Sequence, residues 1–236
     1  MRLRSFGGVV LALALASALV LLVAGPGYRV GIFPLRTAFS LLRWAAFSGL
    51  GVAALAAIAL WRAHGRDALA ILALIVAITV FAIPFRFQRM GASAPAIHDI
   101  STDTANPPAF QAVVPLRSNT SNKLDYSQDV ARQQREAYPD IKPLILEIPA
   151  PQAFERALFA VREAGWDIVE ANADAHRIEA TDTTPFFGFK DDVVVRLTPL
   201  DARTVVDVRS VSRVGRGDAG TNARRVRAFL QRLTRP

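Results

Sequence analysis

The stretch DDVVVRLTPLDARTVVDVRS, residues 191–210, decides the fold of the polar half of this chain. Val193, Val195 and Leu197 alternate with Val194 and Arg196, and after Asp201-Ala202 a second run returns along Val205 to Ser210. Apolar residues at every second position, joined by a short polar turn, predict an antiparallel hairpin. With the turn near Asp201, facing residue numbers sum to about 402, which puts Asp192 opposite the region of Ser210.

Upstream, Leu144 to Ile148 reads as a short strand, and Pro151 opens a helix whose Phe154, Leu158 and Val161 share a face before Gly165 stops it. Trp166 to Glu170 is the next strand, Asn172 to Ala175 its turn, and Arg177 to Thr183 the strand after that. Downstream, a helix over Asn222 to Leu233 puts Val226, Phe229, Leu230 and Leu233 on one face and Arg224, Arg225, Arg227 and Arg232 largely on the other. This order predicts an α+β domain over residues 143–236, a two-layer antiparallel sheet with two helices packed on one face.

The first ninety residues follow a different pattern. Apolar runs over 6–24, 44–61 and 68–85 contain no charged residue, and each is near the lower limit for crossing hydrocarbon, so residues 1–90 predict a bundle of about three transmembrane helices. Small residues recur at a spacing of four, as Gly8, Ala12 and Ala16, as Gly49, Ala53 and Ala57, and as Ala73 and Ala77, a pattern that lets helix backbones approach closely. Arg2 and Arg4 before the first run, with Ala16-Ser17-Ala18 inside it, also fit a cleaved leader, but the apolar run continues to Ala24 and is read as a span. The spans offer only Ser17, Ser48 and Thr79 as polar side chains, so an anchor is favoured over a transporter, whose cargo needs polar partners at the midplane.

Charge follows the same division. The net charge of +8 lies in the first 96 residues, which hold nine arginines against Asp67 alone, whereas 19 basic and 19 acidic residues follow. Arginines flanking apolar runs are membrane-edge anchors, so the high isoelectric point does not indicate nucleic-acid binding. The tight Arg62 to Asp67 turn is read as cytoplasmic, and three spans then put the polar domain outside the cytoplasm. The chain has no cysteine, which excludes thiolate chemistry and disulfides.

Residues 91–142 are rich in Pro, Ser and Asn and read as an extended linker arm with a short helix around Asp129 to Glu136. Within it, His98, Asp99 and Asp103 could bind a cation or act as a base; an Asx-type turn starting the arm is the plainer reading. The hairpin geometry gathers Asp182, Asp191 and Asp192 with Arg213 at one end of the sheet, beside the loop Phe186-Phe187-Gly188-Phe189. This rim is the candidate catalytic or metal-holding group, and a salt-bridged structural rim is the alternative. Phe187 and Phe189 in that loop, and Arg224 and Arg225 on the last helix, are candidate partner-binding residues; no metal or other cofactor is assigned.

Several stretches together are similar to one bacterial family: Ile97 to Asp103, Tyr138 to Ile141, Gly188 to Val193, Ser210 to Gly215 and Asp218 to Ala223. The polar half resembles, in that order of motifs, the family catalogued as domain of unknown function fourteen ninety-nine. The resemblance implies no reaction and no catalytic residues. The expectation is therefore an inner-membrane protein whose extracytoplasmic domain is a binding or assembly module, with the lipid bilayer and an envelope protein as partners, and with a metal-assisted or acid–base hydrolase or an anionic-lipid sensor as rivals.

Overall fold

The structure is a computed structural model and describes residues 2–235. It divides into two compact units: residues up to Arg89 together with Phe186–Gly188, and Met90–Pro185 together with the chain from Phe189 onward.

The first unit is built on three helices, α1 (Arg2–Arg29), α2 (Leu35–Arg62) and α3 (Ala68–Ser93). All three contain segments long and apolar enough to cross a membrane. All three run past the expected apolar spans, and Pro26 and Pro84 are accommodated inside α1 and α3. Small residues mediate the packing. A Cβ on Gly49 would lie 2.9 Å from the Ala77 carbonyl oxygen, so α2 and α3 touch backbone to backbone there. In α1 the buried row is Val10, Ala14, Ser17 and Leu21, whereas Ala12 and Ala16 of the expected row are exposed. A spacing of four fits several neighbouring stripes of an Ala-rich helix equally well, and the larger Val10 and Leu21 select the one that packs. Asp67, the acidic residue of this half, accepts hydrogen bonds from the amides of Leu69 and Ala70 and so caps α3.

The second unit is an antiparallel six-stranded sheet with helices. Its strands are β1 (Asp99–Ser101), β2 (Leu144–Leu146), β3 (Asp167–Asn172), β4 (Arg177–Thr183), β5 (Lys190–Leu200) and β6 (Arg203–Ser212). The order is β1-β6-β5-β4-β3, with β2 pairing the other half of the same β6 edge. Helices α5 (Ala150–Glu163) and α6 (Thr221–Leu233) cover one face, burying Phe154, Val161, Val195, Leu197, Val226 and Phe229 in one core. This is the α+β architecture that the alternating and helical periods predict.

The opposite face of the sheet is covered too. Residues 102–126 have little regular structure, but Phe110 and Val113 pack on Val194 and Val211. Helix α4 (Gln128–Ala137) follows, its N-terminus capped by the Ser127 hydroxyl. Gln134 projects from it, accepts from the amide of Ser101 at 2.9 Å and donates to the carbonyl of Ser101 at 2.6 Å. A side-chain amide thus completes the outer edge of β1 as another strand would. Residues 102–126 of the stretch read as an arm thus form a third layer of the domain.

Candidate functional site

The β5–β6 hairpin closes with Leu200 opposite Arg203, so facing numbers sum to 403 rather than 402. A two-residue turn with Asp201 at φ 52° sets this register, and Asp192 faces Val211 instead of Ser210. Asp182 does face Asp191 across β4 and β5, as the second hairpin requires. The expected three-carboxylate rim nevertheless does not form, because successive residues of a strand point to opposite faces of the sheet. Asp182 and Asp191 lie on the helix-covered face, whereas Asp192 and Arg213 lie on the other.

On the helix face, Arg225 reaches down from α6 and donates from Nε to Asp182 at 2.9 Å and from Nη2 to Asp191 at 2.6 Å. Its Nη1 donates to the Ser210 hydroxyl and to the Asn222 side-chain oxygen. Asn222 in turn donates to the Ser212 hydroxyl and to the carbonyl of His98, tying the β1 entry to α6. Burial pushes the Asp191 carboxyl above its ordinary range, and the opposing pull of Arg225 does not reverse this. A carboxyl with a raised folded-state pKa favours folding when protonated. Its contribution is complete below the unfolded value of about 3.9 and fades as pH rises through the higher folded value. Stability of the parent relative to Asp191→Asn should therefore improve on going from neutral pH into the carboxylate range; a pH-independent difference in unfolding midpoints would contradict it.

On the opposite face, Asp192 is fully buried and engaged on every side. It accepts from Thr181 Oγ1 at 2.8 Å, from Arg213 Nη2 at 2.7 Å and from Arg117. Arg213 and Arg117 also donate to the carbonyls of Leu116 and Asn122, so the pair fastens the covering segment to the sheet. Burial lowers the pKa of Arg117, partly offset by Asp192. Beside this group, Arg209 holds Asp99 through two parallel hydrogen bonds of 3.0 and 2.7 Å. It also donates to the carbonyls of Pro108 and Leu124, and its guanidinium lies over the rings of Phe110 and Tyr126. Burial and the neighbouring Asp99 raise the pKa of Tyr126. Arg196 pairs Asp207 and Asp103, and Arg177 pairs Glu170.

The His98 to Asp103 stretch is therefore dispersed. His98 Nδ1 lies 3.2 Å from the carbonyl of Arg216, Asp99 belongs to Arg209, and Asp103 accepts from the amides of Ala105 and Asn106. That last arrangement is the Asx-type turn. Among the described residues no group of three or more His, Asp or Glu side chains is placed to hold a metal. In the loop, Phe187 and Phe189 are half-buried, and Thr184 closes its neck with hydrogen bonds to and from Phe189.

An open groove of about 290 Å³ remains along α6, lined by Trp166, Asp182, Arg224, Arg225, Ala228 and Arg232 among others. Arg224 donates to the carbonyl of Ala219 and to the Thr221 hydroxyl, and forms no ion pair among the described residues. The start of α6 is satisfied from within, since Asp218 accepts from the amides of Gly220 and Asn222. Neither Arg232 nor Trp166 was singled out as a site residue, because the groove forms only where Trp166 meets α6 at Phe229. Arg209 and Asp207 left a signal: charged residues at every second position of an otherwise valine-rich strand.

An antiparallel sheet with helices on one face and arginine–carboxylate pairs under a covering segment on the other, preceded by three helices able to cross a membrane, defines a membrane protein with one polar α+β domain. Residues 99–233, from β1 through α6, match the family described as "Protein of unknown function (DUF1499)", and the chain belongs to that family. No curated protein matches the chain.

Proposed function

We propose that this protein is a non-enzymatic binding module, anchored in a bacterial inner membrane, whose polar domain recognises an envelope component or partner protein. The observation that carries this reading is the distribution of arginines. Those buried on the sheet, Arg117, Arg209, Arg213 and Arg225, are matched by carboxylates, whereas Arg224 and Arg232 line an open groove without ion pairs among the described residues. Matched buried pairs hold structure, and unmatched charge beside a concavity is free to recognise a ligand.

The hydrolase alternative requires Asp182, Asp191 and Asp192 around one substrate, and Asp192 faces away from the other two. The binding reading would fail if purified protein turned over a defined substrate and Asp191→Asn or Asp192→Asn abolished turnover in a folded variant. A periplasmic location is supported by the arginine-bearing turn between α2 and α3 acting as a cytoplasmic signal. The cysteine-free chain permits a clean test with Gln231→Cys. A membrane-impermeant maleimide should label it in intact cells with a permeabilised outer membrane, and labelling only after lysis would place the domain in the cytoplasm.

A further inference from the structure

The turn between α2 and α3 carries positive charge that the helices around it leave unmatched. Arg62, His64 and Arg66 are exposed there, and Arg62 and Arg66 form no ion pair among the described residues. Asp67, the nearest acid, is committed elsewhere. It caps α3 through the amides of Leu69 and Ala70, and its carboxylate lies so close to α1 that a Cβ on Gly7 would collide with it. That contact brings the start of α1 to the same end of the helices, where Arg2 and Arg4 precede Gly7. Four arginines therefore belong to this end against one carboxylate that already has partners. The turn also has a fixed shape. The amide of Gly65 donates to the Leu60 carbonyl at 2.8 Å and that of His64 to the Trp61 carbonyl at 3.2 Å, with His64 and Gly65 both in the left-handed region. Leu60, Trp61, Arg62, His64 and Gly65 line an open concavity of about 800 Å³, and the Trp61 side chain is 81 % exposed.

A tryptophan beside arginines at the end of an apolar span suits the headgroup level of a bilayer, where the indole meets the acyl boundary and the guanidiniums meet phosphates. Charge then selects among headgroups. A zwitterionic headgroup brings a cation of its own to a surface already rich in cations, whereas an anionic headgroup brings negative charge alone. Arginines spread over one end of a helical unit need no common phosphate, since a leaflet presents many side by side. We infer that the α2–α3 turn, together with the start of α1, is a docking surface for anionic phospholipid headgroups. This surface belongs to the membrane helices and is independent of what the polar domain binds.

Arginines flank the other ends of α2 and α3 as well, among them the exposed Arg36 and Arg86, so the test has to separate this surface from positive charge in general. Full-length protein is placed in nanodiscs of mixed phosphatidylcholine and phosphatidylglycerol, and the lipids that stay bound on release are counted by mass spectrometry. Parent protein should retain phosphatidylglycerol in preference to phosphatidylcholine. In Arg62→Gln/Arg66→Gln that preference should fall by about tenfold, with an unchanged unfolding midpoint in phosphatidylcholine alone. Arg36→Gln/Arg86→Gln, which removes the same charge from the other ends, should keep most of the preference. If the first double variant does not fold, His64→Asp, which sets a carboxylate in the concavity at a backbone conformation aspartate tolerates, should lower the preference likewise. Equal losses in the two double variants would overturn the surface in favour of diffuse attraction to net charge. A parent protein that retains both lipids alike would overturn it altogether.

Discussion

Replacing Asp192 by asparagine is expected to bring the polar domain close to unfolding. The substitution keeps the shape of the side chain and removes the charge that Arg117 and Arg213 share. Two guanidiniums are then left on a surface sealed by the covering segment, with side chains 6 % and 12 % exposed. Breaking a buried pair by removing one partner costs about 3–5 kcal/mol. Ordinary domains are stable by only about 5–15 kcal/mol, so a large share of the margin goes. The measurement is the midpoint of chemical denaturation of the detergent-solubilised protein, followed by circular dichroism. Asp129→Asn, which breaks a pair on the exposed face of α4, should leave that midpoint where it is. Equal midpoints for the two variants would show that the Asp192 cluster does not hold the domain together.

The second large effect is expected at Arg209. Its guanidinium uses both sides of its fork on Asp99 and spends further donors on the carbonyls of Pro108 and Leu124. Lysine is a point charge on a flexible stem and cannot span these acceptors, so Arg209→Lys is not conservative. Arg209→Met leaves Asp99 buried and unpaired and should cost about 3–5 kcal/mol, with Arg209→Lys between it and the parent. The covering segment should loosen before the helices do, because Pro108 and Leu124 lose their anchor. Trypsin then has earlier access to Lys123, which is exposed in that segment. Global destabilisation without faster cleavage at Lys123 would mean that something other than Arg209 holds the segment down.

The sheet and its two covering helices were legible because their apolar residues obey a period. Val193, Val195 and Leu197 announce a strand buried on one face, and Val226, Phe229 and Leu233 announce the helix that covers it. The membrane helices were legible from hydropathy alone, but the packing stripe of α1 was not, since alanines at many positions fit several stripes. The covering segment was illegible for the opposite reason. Residues 102–126 bind the sheet through single contacts such as Phe110 on Val194 and Arg117 on Asp192, and isolated contacts leave no period.

The candidate site shows both the reach and the limit of strand reasoning. Hairpin pairing placed Asp182 at the same end of the sheet as Asp191, and the two are observed to face each other. The grouping of Asp191 with Asp192 failed on the same alternation of sides that identified the strand. Once the two are on opposite faces, each finds its own arginine, Arg225 in one case and Arg117 with Arg213 in the other. The partners Arg117 and Arg225 come from elements 75 and 34 residues away, and no local pattern pairs them.

The buried arginines of the domain are matched by carboxylates, and the unmatched arginines of α6 account for its proposed capacity to bind. Native mass spectrometry of the intact protein, released gently from its own membrane, tests this capacity to bind. A small molecule or a stoichiometric partner protein should be retained, and lost when Arg224 and Arg232 are both replaced by glutamine. A parent protein that consistently leaves the membrane bare, at the mass of the chain alone, would contradict it.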